Sequence, residues 1–224
     1  MKIEVNGTTI FYEEYGAGQP LLLLHGCGED GRIFDKSVPA LAERYRVIAV
    51  DSRGHGQSAP LKKGEALHYD DMAEDVKSLA DALELKKPVL CGFSDGGIVG
   101  LLLAIKYPEL LGGLVACGAN LTPAGLKLWA LAMLRMLYIF TRKAMFKMAV
   151  TEPHIAAEEL SAIKTPCLIL AGEKDMIREE ETHRIAAAVP NAELRILKGE
   201  DHGSYVVHSE KLADIVLEYL IPAG

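Results

Sequence analysis

The sequence predicts an α/β protein built on a mostly parallel sheet with helices on both faces. Three observations predict it. Apolar strand-like runs alternate with helical patterns along most of the chain. Several of these runs are apolar at every position, as strands covered on both faces are. The chemically suggestive residues His25, Asp51, Ser94 and Asp175 fall at the carboxyl ends of predicted strands, where ligands of open α/β sheets bind.

Asn6-Gly7 separates two short alternating runs, 2–5 and 9–15, and so predicts a β-hairpin. Residues 20–24, Pro-Leu-Leu-Leu-Leu, read as a fully buried strand. A helical pattern at 34–45 leads to a strand at 47–50. A helix at 69–85 leads to a strand at 88–91, and the apolar stretch 97–107 reads as the next helix. Further strands are predicted at 113–117, 167–171 and 193–197, with helices at 179–189 and 207–220.

A chain of 224 residues is long enough for one sizeable domain with a real core. Half its residues are hydrophobic and a quarter charged, the balance of a soluble globular protein. A net charge of -7 argues against general nucleic-acid binding. The longest apolar stretch, 126–140, is interrupted by Lys127 and Arg135, so no membrane span is expected. The first residues lack the basic-then-apolar layout of a signal peptide. Cys27, Cys91, Cys117 and Cys167 are far apart, without a Cys-x-x-Cys pair, and are expected to be reduced. Together these features imply a cytoplasmic protein. No His or Cys pair has zinc spacing, so neither a metal nor a cofactor is expected. A homo-oligomer remains open.

Gly92-Phe93-Ser94-Asp95-Gly96 lies between a predicted strand and a predicted helix. A serine between two glycines at such a switch suggests a nucleophile elbow. The sharp turn lifts the hydroxyl clear of the sheet, and the helix N-terminus points at the place where negative charge develops. A serine hydroxyl is a weak nucleophile at neutral pH. It needs a histidine to take its proton and a carboxylate to orient that histidine. With an elbow of this kind the chain order is serine, acid, histidine. Asp175 follows the strand 167–171, with Glu173 its main rival, and His202 follows the last strand. His154, His183 and His208 are less well placed and read as surface histidines. The oxyanion hole needs two backbone N–H groups. Those of Asp95 and of Cys27, in the loop His25-Gly26-Cys27-Gly28, are the natural donors. Cys27 as a second nucleophile is disfavoured, because nothing basic stands beside it.

Taken together, His25-Gly26, Asp51-x-Arg53-Gly54-x-Gly56-x-Ser58, Gly92-x-Ser94-x-Gly96-Gly97, Gly172-x-x-Asp175 and Asp201-His202 resemble the α/β-hydrolase superfamily over nearly the whole chain. The resemblance implies an eight-stranded sheet, a Ser94–His202–Asp175 triad and a cap after the sixth strand. Within the superfamily the chain looks like the small esterase and lipase-like members. It departs from them in its short cap and in Asp95, where many relatives carry a bulky apolar residue. The Asp95 carboxylate leaves two readings open: a bond within the elbow, or pairing with a cationic group on the substrate.

The alternation breaks from 120 to 151, which has helical composition, apolar residues on more than one face, five basic residues and no Asp or Glu. This segment reads as a helical cap inserted into a core of residues 1–119 and 152–224. Trp129 and Met133 within it are expected to contact the substrate. The plain alternative is an ordinary core helix pair, with a basic face that is solvated or drawn to an anionic substrate or membrane surface.

One motif points elsewhere. Gly26-x-Gly28-x-x-Gly31, with Asp51 about 20 residues on, fits a dinucleotide fingerprint. Arg32-Ile33-Phe34-Asp35 and Pro39 then delay the helix that would have to meet a pyrophosphate. The expected function is therefore cleavage of a small-molecule carboxylic ester or related acyl bond. A ligand-binding or signalling protein on the same fold, a perhydrolase and a carbon–carbon bond hydrolase are the alternatives.

Overall fold

The computed structural model describes residues 1–220. Its strands are β1 (Lys2–Val5), β2 (Thr8–Tyr15), β3 (Gln19–Leu24), β4 (Tyr45–Asp51), β5 (Val89–Phe93), β6 (Gly113–Cys117), β7 (Cys167–Lys174) and β8 (Ala192–Asp201). They form one eight-stranded sheet in the order β1-β2-β4-β3-β5-β6-β7-β8. β1 pairs antiparallel with β2, and β2 with β4; every later pairing is parallel. Asn6 and Gly7, at φ 48° and 73°, make the two-residue turn that brings Val5 opposite Thr8. Two positive φ angles match the twist of the strands they join.

The helices are α1 (Val38–Ala42), α2 (Tyr69–Ala82), α3 (Asp95–Lys106), α4 (Leu128–Thr141), α5 (Ala144–Thr151), α6 (Glu179–Ala188) and α7 (Lys211–Leu220). Period-two alternation divides the leucine run of β3 between two cores. Leu22 and Leu24 pack with Met72 and Leu79 of α2, Ile98 of α3 and Ile185 of α6. Leu21 and Leu23 pack on the other face with Leu41 of α1 and with Leu212 and Val216 of α7. Burying each such side chain contributes about 1.5–3 kcal/mol of transfer free energy. The predicted α/β class, eight strands and helices on both faces are all present.

Two predicted helices differ in extent. Instead of one helix over 34–45 there is a 3₁₀ turn, Gly31–Phe34, followed by the short α1. Proline has no N–H to give, so Pro39 is tolerated only in a first turn; α1 therefore starts at Val38. The last helix begins at Lys211 rather than at 207, because His208 adopts φ 51° and interrupts the chain before it.

Polar side chains brace the strand ends that carry the site. The Asp51 carboxylate accepts the amides of Gly31 at 2.8 Å and Gln57 at 2.7 Å. Both its oxygens are thus used within the protein, which removes the ribose-binding role of the dinucleotide fingerprint. Arg53 forks onto the buried Asp75 of α2, and Asn6 donates to the same carboxylate at 2.9 Å. The Asp51-x-Arg53 segment thereby ties the hairpin turn, β4 and α2 together.

Candidate active site

Ser94 sits between β5 and α3 with φ 53° and ψ -112°. This is a strained conformation for a residue with a side chain, of the kind concentrated at functional sites. The flanking glycines are steric necessities. A Cβ on Gly92 would stand 2.1 Å from the Gly96 carbonyl oxygen, and one on Gly96 would stand 2.2 Å from that of Leu24. The turn is held by the Ser94 amide donating to the Cys117 carbonyl at 2.7 Å and the Gly96 amide donating to that of His25 at 3.1 Å.

His202, immediately after β8, has Nε2 3.1 Å from Ser94 Oγ and Nδ1 2.6 Å from Asp175 Oδ1. Asp175 is buried just beyond β7 and also accepts the Ile177 amide at 2.9 Å. Its rival Glu173 is exposed and accepts the Gly199 amide. The Phe93 ring lies 4.9 Å from that of His202, centroid to centroid. His154 and His183 lie away from this line, and His208 faces Asp35 on the surface.

The amides of Cys27 and Asp95 have no acceptor among the described residues. Gly26 lets the loop that carries Cys27 approach the elbow, since a Cβ there would stand 3.0 Å from Ser94 Cβ. Burial, with Asp95 and Glu29 nearby, pushes the Cys27 thiol well up, away from the thiolate a nucleophile needs. All four cysteines are free thiols.

Asp95 satisfies the first of its two readings with one oxygen only. Oδ1 accepts from the Tyr69 hydroxyl at 2.7 Å, while Oδ2 is buried without a hydrogen-bond partner. Burial raises the Asp95 carboxyl to about 6, against the opposing bond from Tyr69.

Above Ser94 lies a cavity of about 270 Å³. Its floor includes Ser94, Asp95 and His202, and its roof includes Leu126, together with Met133, Leu134 and Leu137 of α4 and Phe146 and Ala149 of α5. Met133 lines this cavity. Trp129 does not: it stands 57% exposed on the outer side of α4. The helix turns by about 100° per residue, and Ala130 and Leu134 take the inward stripe instead.

Three residues of the site were not singled out from the sequence. Gly118, at φ 59°, lies against the His202 ring. Glu29 lines the cavity and accepts the Gly26 amide at 3.0 Å; burial raises its carboxyl above the ordinary value. Tyr69, at the start of α2, holds Asp95. A glycine ending the predicted strand 113–117 and an acid within the glycine-rich loop after β3 were the available signals for the first two. Tyr69 gave none.

Comparison with known proteins agrees with this architecture. A family model described as alpha/beta hydrolase fold matches residues 19–147, more than half of the chain. The AB hydrolase superfamily protein YisY of Bacillus subtilis is 26% identical, over 94% of this chain and 95% of its own. A putative carbamate hydrolase, RutD of Caulobacter segnis, is 27% identical over 94% of this chain and 96% of its own. Among solved structures, a thermophilic esterase from Thermogutta terrifontis superposes with a TM-score of 0.82 at 23% identity, covering 98% of each chain. That likeness concerns the fold. From the sheet order, the elbow and the family match, the chain belongs to the alpha/beta hydrolase family.

Proposed function

We propose that this hydrolase-family chain is a serine hydrolase that cleaves a carboxylic ester, or a related acyl bond, of a small molecule. The observation that carries the proposal is the unbroken hydrogen-bond line from Ser94 Oγ through His202 to Asp175. In the reaction, His202 Nε2 takes the Ser94 proton as Oγ attacks the acyl carbon. Asp175 holds the Nδ1–H tautomer and stabilises the protonated ring. The carbonyl oxygen, now negative, is bound by the amides of Cys27 and Asp95. Collapse of the tetrahedral intermediate expels the leaving group, which takes the proton from His202. Water then attacks the acyl-enzyme, with His202 again the base, and releases the acid and free Ser94.

The cavity walls favour an acyl group that is small and mostly apolar. The RutD likeness brings carbamates into the substrate range, since their cleavage is acyl transfer too. The test is turnover of p-nitrophenyl acetate and of a panel of short-chain esters and carbamates. Ser94→Ala should lower kcat by roughly three to six orders of magnitude. A fluorophosphonate should label the peptide that contains Ser94. A near-normal rate in Ser94→Ala would remove the proposal, and binding of esters without turnover in the unaltered protein would favour the ligand-binding alternative.

A further inference from the structure

A helix apolar all round is normally buried in a core or in lipid. α4 is apolar on both sides and is neither. Its inner stripe, Ala130 and Leu134, packs on the body, while its outer side is open. Apart from Met1 and Tyr15, every exposed large hydrophobic side chain among the described residues lies on this helix. They are seven residues between Leu128, 74% exposed, and Phe140, 76% exposed. A run of this size on one helix is unusual for a surface that meets only water.

The charges around the stripe say what kind of surface would cover it. Lys127, Arg135, Arg142, Lys143 and Lys147 lie in or beside α4 and α5, and 120–151 holds none of the chain's 31 acidic residues. None of the five forms an ion pair with an acidic side chain among the described residues. The rest of the protein is acidic enough to leave a net charge of -7. The segment that carries the exposed apolar stripe is thus locally positive on a chain that is acidic as a whole. A second copy of this chain fits that face poorly. A two-fold pairing through α4 would set five cations against five with no acid between them. A bilayer with anionic headgroups supplies both missing halves, an acyl layer for the stripe and negative charge for its flanks.

We infer that α4 docks this protein on anionic lipid membranes, lying in the interface with its outer stripe among the acyl chains. Met133 and Leu137 are partly exposed on the same helix and also line the cavity above Ser94. Resting on the function proposed above, this continuity would let lipid-dissolved esters reach Ser94 without crossing bulk water. The docking itself needs no catalysis and is tested without it.

Trp129 is the only tryptophan in the chain and stands on the docking face, so its fluorescence reports contact directly. The protein is mixed with vesicles of phosphatidylcholine alone and of phosphatidylcholine with phosphatidylglycerol. We expect co-sedimentation and a blue shift of the emission with the anionic vesicles, both weakened by salt. Phe140→Ser should lower vesicle affinity about tenfold or more. Replacing Arg142 and Lys143 together by glutamine should lower it by a similar factor, about tenfold or more. Neither change touches the cavity, so hydrolysis of soluble p-nitrophenyl acetate and the circular dichroism spectrum should stay as they are. Equal binding to neutral and anionic vesicles would overturn the inference. So would no binding to either, accompanied by a dimer that Phe140→Ser splits. Loss of ester turnover with vesicle binding intact would count against the Ser94 chemistry alone.

Discussion

Gly118 leaves no space between its backbone and the ring of His202. A Cβ added there would stand 2.7 Å from Cε1 and 2.9 Å from Nδ1 of the imidazole. The residue is also fixed from behind, with its amide donating to the Leu170 carbonyl at 2.8 Å. The end of β6 therefore stands as a wall against the ring that links Asp175 to Ser94.

Gly118→Ala should disturb catalysis more than stability. The left-handed φ of 59° costs a residue with a side chain about 1 kcal/mol, which thermal unfolding would register as a modest loss. The added methyl must also push the ring off the line joining Asp175 to Ser94. A misplacement of about 1 Å costs on the order of a hundredfold in rate. Steady-state kinetics on p-nitrophenyl acetate should therefore show kcat falling by about two orders of magnitude with KM little changed. An unaltered kcat would mean that the ring is not held by this wall.

Gly118 also marks where the sequence stops being informative. Ser94, Asp175 and His202 were legible as candidates because each follows a strand-like run and they occur in the order an elbow of this kind requires. The amides of Cys27 and Asp95 could be singled out because they are neighbours of recognisable residues. Gly118 and Tyr69 act through contacts across the fold, from β6 to the loop after β8 and from α2 to α3. No local pattern encodes such pairs. The misplacement of Trp129 has the same origin. Apolar residues on every side of α4 give no phase, so which of them face inward is decided by what the helix packs on. The short α1 reflects local chemistry, since Pro39 fits only in its first turn.

Asp95 predicts an unusual pH dependence. Burial raises its carboxyl from 3.8 to about 6, so the native state holds this proton more tightly than the unfolded chain. Between those two values the native state binds more protons, and stability falls as pH rises. The whole change is of the order of 3 kcal/mol, from about two pH units at 1.36 kcal/mol each. Asp95→Asn keeps an acceptor for the Tyr69 hydroxyl and removes the titration. The variant should gain stability relative to the unaltered protein as pH is raised from about 4 to about 7. Urea unfolding at several pH values measures this, and a difference that is flat or shrinks with pH would contradict it.

His25 should act in the same window with the opposite sign. Its imidazole is 1% exposed and both ring nitrogens are used: Nδ1 donates to the Gly26 carbonyl at 2.8 Å, and Nε2 accepts the Ser52 amide at 3.0 Å. Burial, assisted by the neighbouring His55, lowers its pKa from 6.5 to about 4, so the ring is neutral in the folded protein. The unfolded chain then binds the extra proton first, and stability is lost as pH falls from about 6.5 towards 4. Protonating the native ring would also cost the Ser52 bond, because a charged imidazole has no acceptor to offer. Replacing it tests this. His25→Gln should be less stable at pH 7, by about 1–3 kcal/mol for a buried polar network left partly unsatisfied. It should also lose less than the unaltered protein on acidification over that interval, because glutamine does not titrate. The two buried groups oppose one another, so the unaltered protein should show a flatter profile here than either single variant. If the stability of His25→Gln relative to the unaltered chain failed to rise as pH falls over that interval, the neutral ring would not be what acid attacks.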